Sequence, residues 1–107
     1  MAKAFDFSEA TRKAVRAKGD CCWACGVPGW FGIEVDHIIP RNHPDCTTDE
    51  SNAQMLCSPC NNIKGAVTIK IKVRPQAVWV ANQTKMMQII TKNRCEFRKA
   101  VMAAKKA

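Results

Sequence analysis

Asp36 and His37 stand side by side in the run Ile33-Glu34-Val35-Asp36-His37-Ile38-Ile39, which Pro40 ends. A carboxylate that can hold a cation, beside an imidazole that can take a proton, is a pair suited to hydrolytic chemistry. On its own such a pair decides nothing, since most histidines are not catalytic. Its surroundings carry more. Cys22-x-x-Cys25 precedes it and Cys57-x-x-Cys60 follows it, with Asn52 before the second pair and Asn61 directly after it. Four thiolates give closed tetrahedral coordination, the structural type of zinc site, with no open position for a substrate. Such a zinc would close a loop containing Asp36, His37 and Asn52.

Disulfides are the alternative use of these cysteines. The chain has seven, an odd number, and Met1-Ala2-Lys3-Ala4-Phe5-Asp6 offers no apolar signal region. The reading is a cytosolic chain with reduced thiols, in which paired Cys-x-x-Cys units hold zinc. Cys21 competes with Cys22 as a ligand, but Cys22 and Cys25 give the standard two-residue gap. Cys46 and Cys95 stand alone and read as ordinary thiols.

The elements that must position these groups follow from local pattern. Ser8 is a suitable N-cap for a helix from Glu9 to about Lys18, which Gly19-Asp20 ends. Its weak apolar face, Ala10, Ala14, Val15 and Ala17, is expected to pack over the zinc site. Cys21 to Gly26 reads as a zinc knuckle whose glycine takes positive φ. Trp30 and Phe31 are expected to cover the small core, with contact to a partner as the alternative. Ile33–Ile39 is strand-like, with Glu34 and Asp36 on one face by two-residue alternation. Residues 40–50 form a loop, and Asn52–Cys57 is a returning strand. Ser58-Pro59 resembles an N-cap followed by Pro at the first helical position, opening a short helix that Gly65 stops after Lys64. Val67, Ile69, Ile71 and Val73 alternate with Thr68, Lys70, Lys72 and Arg74, the pattern of a half-buried strand, with a helix continuing from the preceding one as the alternative; Pro75 interrupts it. From about Asn82 to Lys105 a long helix places Met86, Ile90, Phe97 and Val101 near one stripe.

At 107 residues this is one small domain with a modest core, of the size that often needs a metal staple. No apolar run approaches membrane-spanning length. Charge is unevenly spread. Residues 1–66 hold 7 basic and 8 acidic residues, net −1, whereas residues 67–107 hold 10 basic and 1 acidic, net +9. An extension of that sign suits a polyanion, nucleic acid above all; a solvated basic helix without a partner stands beside that reading.

The order Cys-x-x-Cys, Asp-His-Ile-Ile-Pro, an isolated Asn, then Leu-Cys-x-x-Cys-Asn-x-x-Lys-Gly resembles the HNH endonuclease family over roughly residues 8–66. The resemblance implies an α+β fold: a small zinc-stapled ββα-metal (His-Me finger) core at 1–66, bearing an N-terminal helix. A basic strand/helix extension at 67–107 packs on it. It implies that His37 is the general base, that Asp36 is a ligand of a catalytic divalent metal, and that Asn52 fixes the loop and helps orient the histidine. Asn61 stands where the family often has His, an HNN variant in which its amide oxygen is the second ligand. Lys64 falls where the family often places a basic residue near the phosphate. The Gly-Gly often found after the Pro is replaced by Asn42-His43-Pro44-Asp45-Cys46, where His43 is an accessory ligand or, as the preferred reading, a surface residue.

The expected activity is Mg²⁺- or Mn²⁺-dependent hydrolysis of phosphodiester bonds in double-stranded DNA, leaving a 5′-phosphate and a 3′-hydroxyl. Hard oxygen donors suit those ions, and Zn²⁺ is structural. Arg41, Lys64, Lys70, Lys72 and Arg74 are the expected nucleic-acid contacts. Two other readings remain: a zinc-stapled nucleic-acid-binding module without cleavage, and a nuclease subunit active only within a larger phage packaging or recombination complex. The expected setting is the cytoplasm of a bacterium or phage-infected host.

Overall fold

The structure, a computed structural model, describes residues 6–29, 32–73 and 83–106. Trp30, Phe31, Arg74, Pro75 and Asn82, to which the sequence reading gave roles, lie outside the described residues.

Helix α1 spans Glu9–Lys18. The Ser8 side chain accepts a hydrogen bond from Thr11 N, Glu9 lies in the positive first turn, and Arg16 and Lys18 occupy the last. Gly19 follows as C-cap. Val15 is fully buried, and the helix packs on the 3₁₀ turn and on the second of the two strands described next.

Strand β1, Glu34–His37, pairs antiparallel with β2, Ala53–Leu56, in a register that sets Asp36 opposite Gln54 and His37 opposite Ala53. A 3₁₀ turn, Glu50–Asn52, leads into β2, so Asn52 precedes the returning strand rather than opening it. All four β2 residues are buried. Helix α2, Ser58–Lys64, begins one residue after β2 and stops at Gly65. Its N-cap is Cys57 rather than Ser58, which moves Pro59 one place into the first turn. There a missing backbone N–H costs nothing, because first-turn donors have no intrahelical acceptor. Gly65 has φ 56°, a left-handed conformation that favours glycine. These elements form the ββα arrangement expected of an α+β core.

The segment 67–73 corrects the sequence reading. It joins no sheet. Its alternation is nevertheless real: Val67, Ile69, Ile71 and Val73 pack against the core while Thr68, Lys70 and Lys72 are exposed. Instead of a neighbouring strand, one side chain serves its backbone. Gln54 Nε2 donates to Ile69 O at 3.1 Å, and Ile71 N donates to Gln54 Oε1 at 3.1 Å. A fully buried amide thereby satisfies both its own polar groups and two of the segment's.

Helix α3, Gln83–Lys106, buries Ile90, Asn93, Phe97 and Val101, with Met86 half-buried. Those positions are spaced three and four apart, one face of a helix, and the face lies against α2 and the cysteine-rich core. Among the described residues no helix is long and apolar enough to cross a membrane.

Candidate active site and metal centre

β2 positions both cysteine pairs. Trp23 N donates to Met55 O at 2.8 Å, docking the first knuckle on the strand, and Cys57 follows the strand's last residue directly. Within the knuckle Gly26 N reaches Cys22 O and Cys22 N reaches Val27 O, each at 2.8 Å, around a Gly26 with φ 92°. Cys22, Cys25, Cys57 and Cys60 are all buried, with their sulfurs within 4.8 Å of one another. Cys21, turned aside into a bridge with Pro28, is outside the group; burial pushes its thiol up, as do the neighbouring Cys22 and Asp20.

The four sulfurs fit zinc. Cys25 Sγ and Cys57 Sγ are 3.6 Å apart, close to the ~3.8 Å edge of a tetrahedron with Zn–S bonds of about 2.3 Å. Among the thiols themselves, the hydrogen bond with Cys25 holds Cys22 at about 7, below the ordinary 9.0. Bonds with Cys22, Cys25 and Cys60 hold Cys57 down, while the same network, Cys22 foremost, pushes Cys25 and Cys60 up. Four buried sulfurs this close together are a donor set for a thiophilic cation such as zinc.

The second group assembles where β1 ends. Asn61 and Lys64 lie three apart on α2, hence on one helix face. A cleft of about 290 Å³ is lined by Asp36, His37, Arg41 and Asn61 together with Asp6, Phe7, Arg12 and Val35. An adjoining hollow of about 310 Å³ shares Asp36, His37 and Arg41, and adds Lys64 and residues of the 40–42 loop. Asp36 and His37, neighbours on β1, therefore meet Asn61 of α2 at one place. The carboxylate and the Asn61 amide supply hard oxygen donors of the kind Mg²⁺ or Mn²⁺ accepts.

Three features of this site were not in the sequence reading. Phe7 is buried and stacks on the His37 ring, with centroids 4.2 Å apart and planes inclined by 26°. Its position is held from α1, where Arg12 Nε donates to Phe7 O at 3.2 Å. Lys64, expected near a phosphate, is 1% exposed; its Nζ lies 3.3 Å from Asp36 Oδ2. Gln54 Nε2 also approaches Asp36 Oδ2, at 3.4 Å, so the amide that holds segment 67–73 touches the carboxylate too.

Asn52 is buried and ties down the loop after β1. Its Oδ1 accepts from Ile39 N at 2.8 Å, and its Nδ2 donates to Thr47 O at 2.9 Å. Ile38 N donates to Asn52 O at 3.0 Å, so both backbone and side chain of Asn52 hold the residues that follow His37. His43 sits on the exposed loop, with Nδ1 accepting from Asp45 N at 3.1 Å. Arg41 borders the cleft and is ion-paired with Asp6. Lys70 and Lys72 are exposed on the outer face of segment 67–73.

Helix α3 reaches the cysteine group from the other side. Asn93 Nδ2 donates to Cys25 O at 2.9 Å, and Arg94 Nη2 lies 3.6 Å from Cys57 Sγ. Burial works against the Arg94 charge, but the sulfurs of Cys25 and Cys57 outweigh it and raise the guanidinium further above its usual range.

Comparison with known proteins agrees with this geometry. Residues 22–66 match the family model for HNH endonuclease. Over 71 residues the chain is 32% identical to the CRISPR-associated endonuclease Cas9 of Corynebacterium diphtheriae, a match that covers 65% of this chain and 6% of that much longer protein. No solved structure matches the chain. The matched segment contains both cysteine pairs, Asp36, His37, Asn52 and Asn61. Residues 22–66, the segment that carries both cysteine pairs and the Asp36-His37 cleft, are thus the part of this chain that matches the HNH endonuclease family.

Proposed function

We propose that this protein is a metal-dependent DNA endonuclease or nickase that hydrolyses phosphodiester bonds through His37. The observation that carries the reading is the convergence of Asp36, His37 and Asn61 on one cleft in a segment of the HNH family. His37 takes a proton from the attacking water, its imidazole plane set by the Phe7 stack. Asn52 acts at one remove, by fixing the backbone from Ile38 to Thr47. Asp36 and Asn61 would hold Mg²⁺ or Mn²⁺, which when bound supplies stabilisation of charge on the phosphate and on the departing 3′ oxygen. Lys64 balances the Asp36 charge from within the fold. The four cysteines take structural Zn²⁺.

The substrate proposed is double-stranded DNA. Arg41 beside the cleft and the exposed Lys70 and Lys72 supply cations for its backbone, and their contacts are sequence-blind. The proposed division has a nuclease core at 1–66 and a basic part from 67 onward, whose described residues 67–73 and 83–106 pack on the core. A second reading has the chain acting inside a larger assembly. It is favoured by the match to a small part of a long endonuclease.

Incubation of supercoiled plasmid with the protein and Mg²⁺ or Mn²⁺ tests the proposal. Nicked circles that DNA ligase reseals without further treatment are expected, because resealing requires a 5′-phosphate beside a 3′-hydroxyl. Intact plasmid across the metal series would contradict autonomous cleavage, and nicks that ligase cannot close would contradict the proposed products.

A further inference from the structure

We infer that Arg94 is part of the zinc centre: its guanidinium is the charge partner of the four-thiolate group and sets how firmly the metal is retained. Four thiolates around Zn²⁺ carry a net charge of −2, and the four cysteines are buried. A buried charge without compensation is costly. Arg94 is the cation placed to offset it, with Nη2 3.6 Å from Cys57 Sγ. None of the ion pairs among the described residues gives Arg94 a carboxylate partner. Its Nε is moreover the one buried side-chain nitrogen or oxygen among the described residues that has no hydrogen-bond partner. Neutral thiols would leave this half-buried guanidinium without a counter-charge, whereas a tetrathiolate dianion supplies one at Cys57 Sγ.

The neighbouring residue fixes the approach. Asn93 is buried and donates to Cys25 O, so consecutive α3 residues grip the first cysteine pair through its backbone and the second through its sulfur. Outer partners that donate to metal ligands commonly change metal affinity about 10- to 100-fold when removed. This inference rests on zinc occupying the cysteine group and not on the nuclease reading, so it can fail or hold independently of DNA cleavage.

The test is the rate at which the zinc-loaded full chain gives up its metal to an excess of a chromogenic chelator. Arg94→Gln and Arg94→Lys both keep a long stem that helices accept, and they differ in charge; Arg98→Gln removes the same charge from an exposed position on α3. Arg94→Gln is expected to release zinc about tenfold faster than the unaltered protein. Arg94→Lys is expected to stay within about threefold, and Arg98→Gln to match the unaltered chain, since an exposed charge is largely screened. Circular dichroism before chelator addition establishes equal helix content. Should Arg94→Gln not fold, Arg94→Lys decides: release at least tenfold faster than the unaltered chain overturns the charge role. Equal rates for all four proteins, or equal acceleration by Arg94→Gln and Arg98→Gln, would also overturn it.

Discussion

Phe7 lies flat on His37, with ring centroids 4.2 Å apart. An imidazole at the end of a strand has two soft torsions, and a buried ring against one face removes the freedom to tilt. Phe7→Ala is expected to cost about 3 kcal/mol of stability in urea unfolding, as truncation of a buried Phe generally does. It should also move the His37 ring-proton signals downfield by removing the shielding of the stacked ring. In the nuclease assay it should lower kcat more than it raises KM, whereas Phe7→Trp keeps the stack and most of the rate.

Lys64 and Asp36 form a buried ion pair, with side-chain exposures of 2% and 16%. Removing one partner of such a pair leaves the other charged and desolvated. Asp36→Ala is expected to destabilise the domain by about 3 kcal/mol, and Lys64→Met added to it should recover most of that loss. A double-mutant cycle read by urea unfolding checks the coupling; additive effects would mean the two charges do not sense each other.

Asn52 holds Ile39 N and Thr47 O through opposite ends of one amide. Asn52→Ala should therefore cost about 2 kcal/mol, leaving buried groups unsatisfied, and should speed hydrogen exchange at the Ile39 amide specifically. Asn52→Asp keeps the acceptor for Ile39 N but sets an anion against the Thr47 carbonyl, so its Ile39 amide should stay protected while stability falls.

The cysteine group, the ββα order and the buried stripe of the last helix were legible in the sequence, because spacing and periodicity encode them. Cys22, Cys25, Cys57 and Cys60 come together as the two-residue gaps imply. Met86, Ile90, Phe97 and Val101 keep one face as the helical period implies. What was not legible depends on polar side chains doing unusual work. Alternation at 67–73 named the buried residues correctly, but it could not say that Gln54 would replace a neighbouring strand. A lysine is expected to be exposed, and only the folded structure shows Lys64 buried with its Nζ against Asp36. Asn93 interrupts an apolar stripe, and the one hint of its role was that it sits within that stripe at all. Phe7 left no such signal: it precedes the N-cap Ser8, but the fourth helical position, where a hydrophobic staple would find an apolar partner, is Arg12.

Zinc removal should unfold the domain, since the four ligands link both knuckles, β2 and α2. Chelation is expected to abolish the helical circular dichroism signal, and Cys57→Ser to do the same without chelator. The pH dependence has a definite sign. In the zinc-loaded fold the four sulfurs carry no protons, whereas thiols of the unfolded chain are protonated below their ordinary 9.0. The unfolded state thus binds more protons, and stability should fall as pH is lowered from 9.

The most direct test of the account compares plasmid nicking by the unaltered protein and His37→Ala, with zinc content and circular dichroism measured on both. The account predicts that the substitution abolishes Mg²⁺- or Mn²⁺-dependent nicking while one zinc per chain and the folded spectrum persist. Nicking by the folded, zinc-loaded His37→Ala protein at the unaltered rate would contradict it.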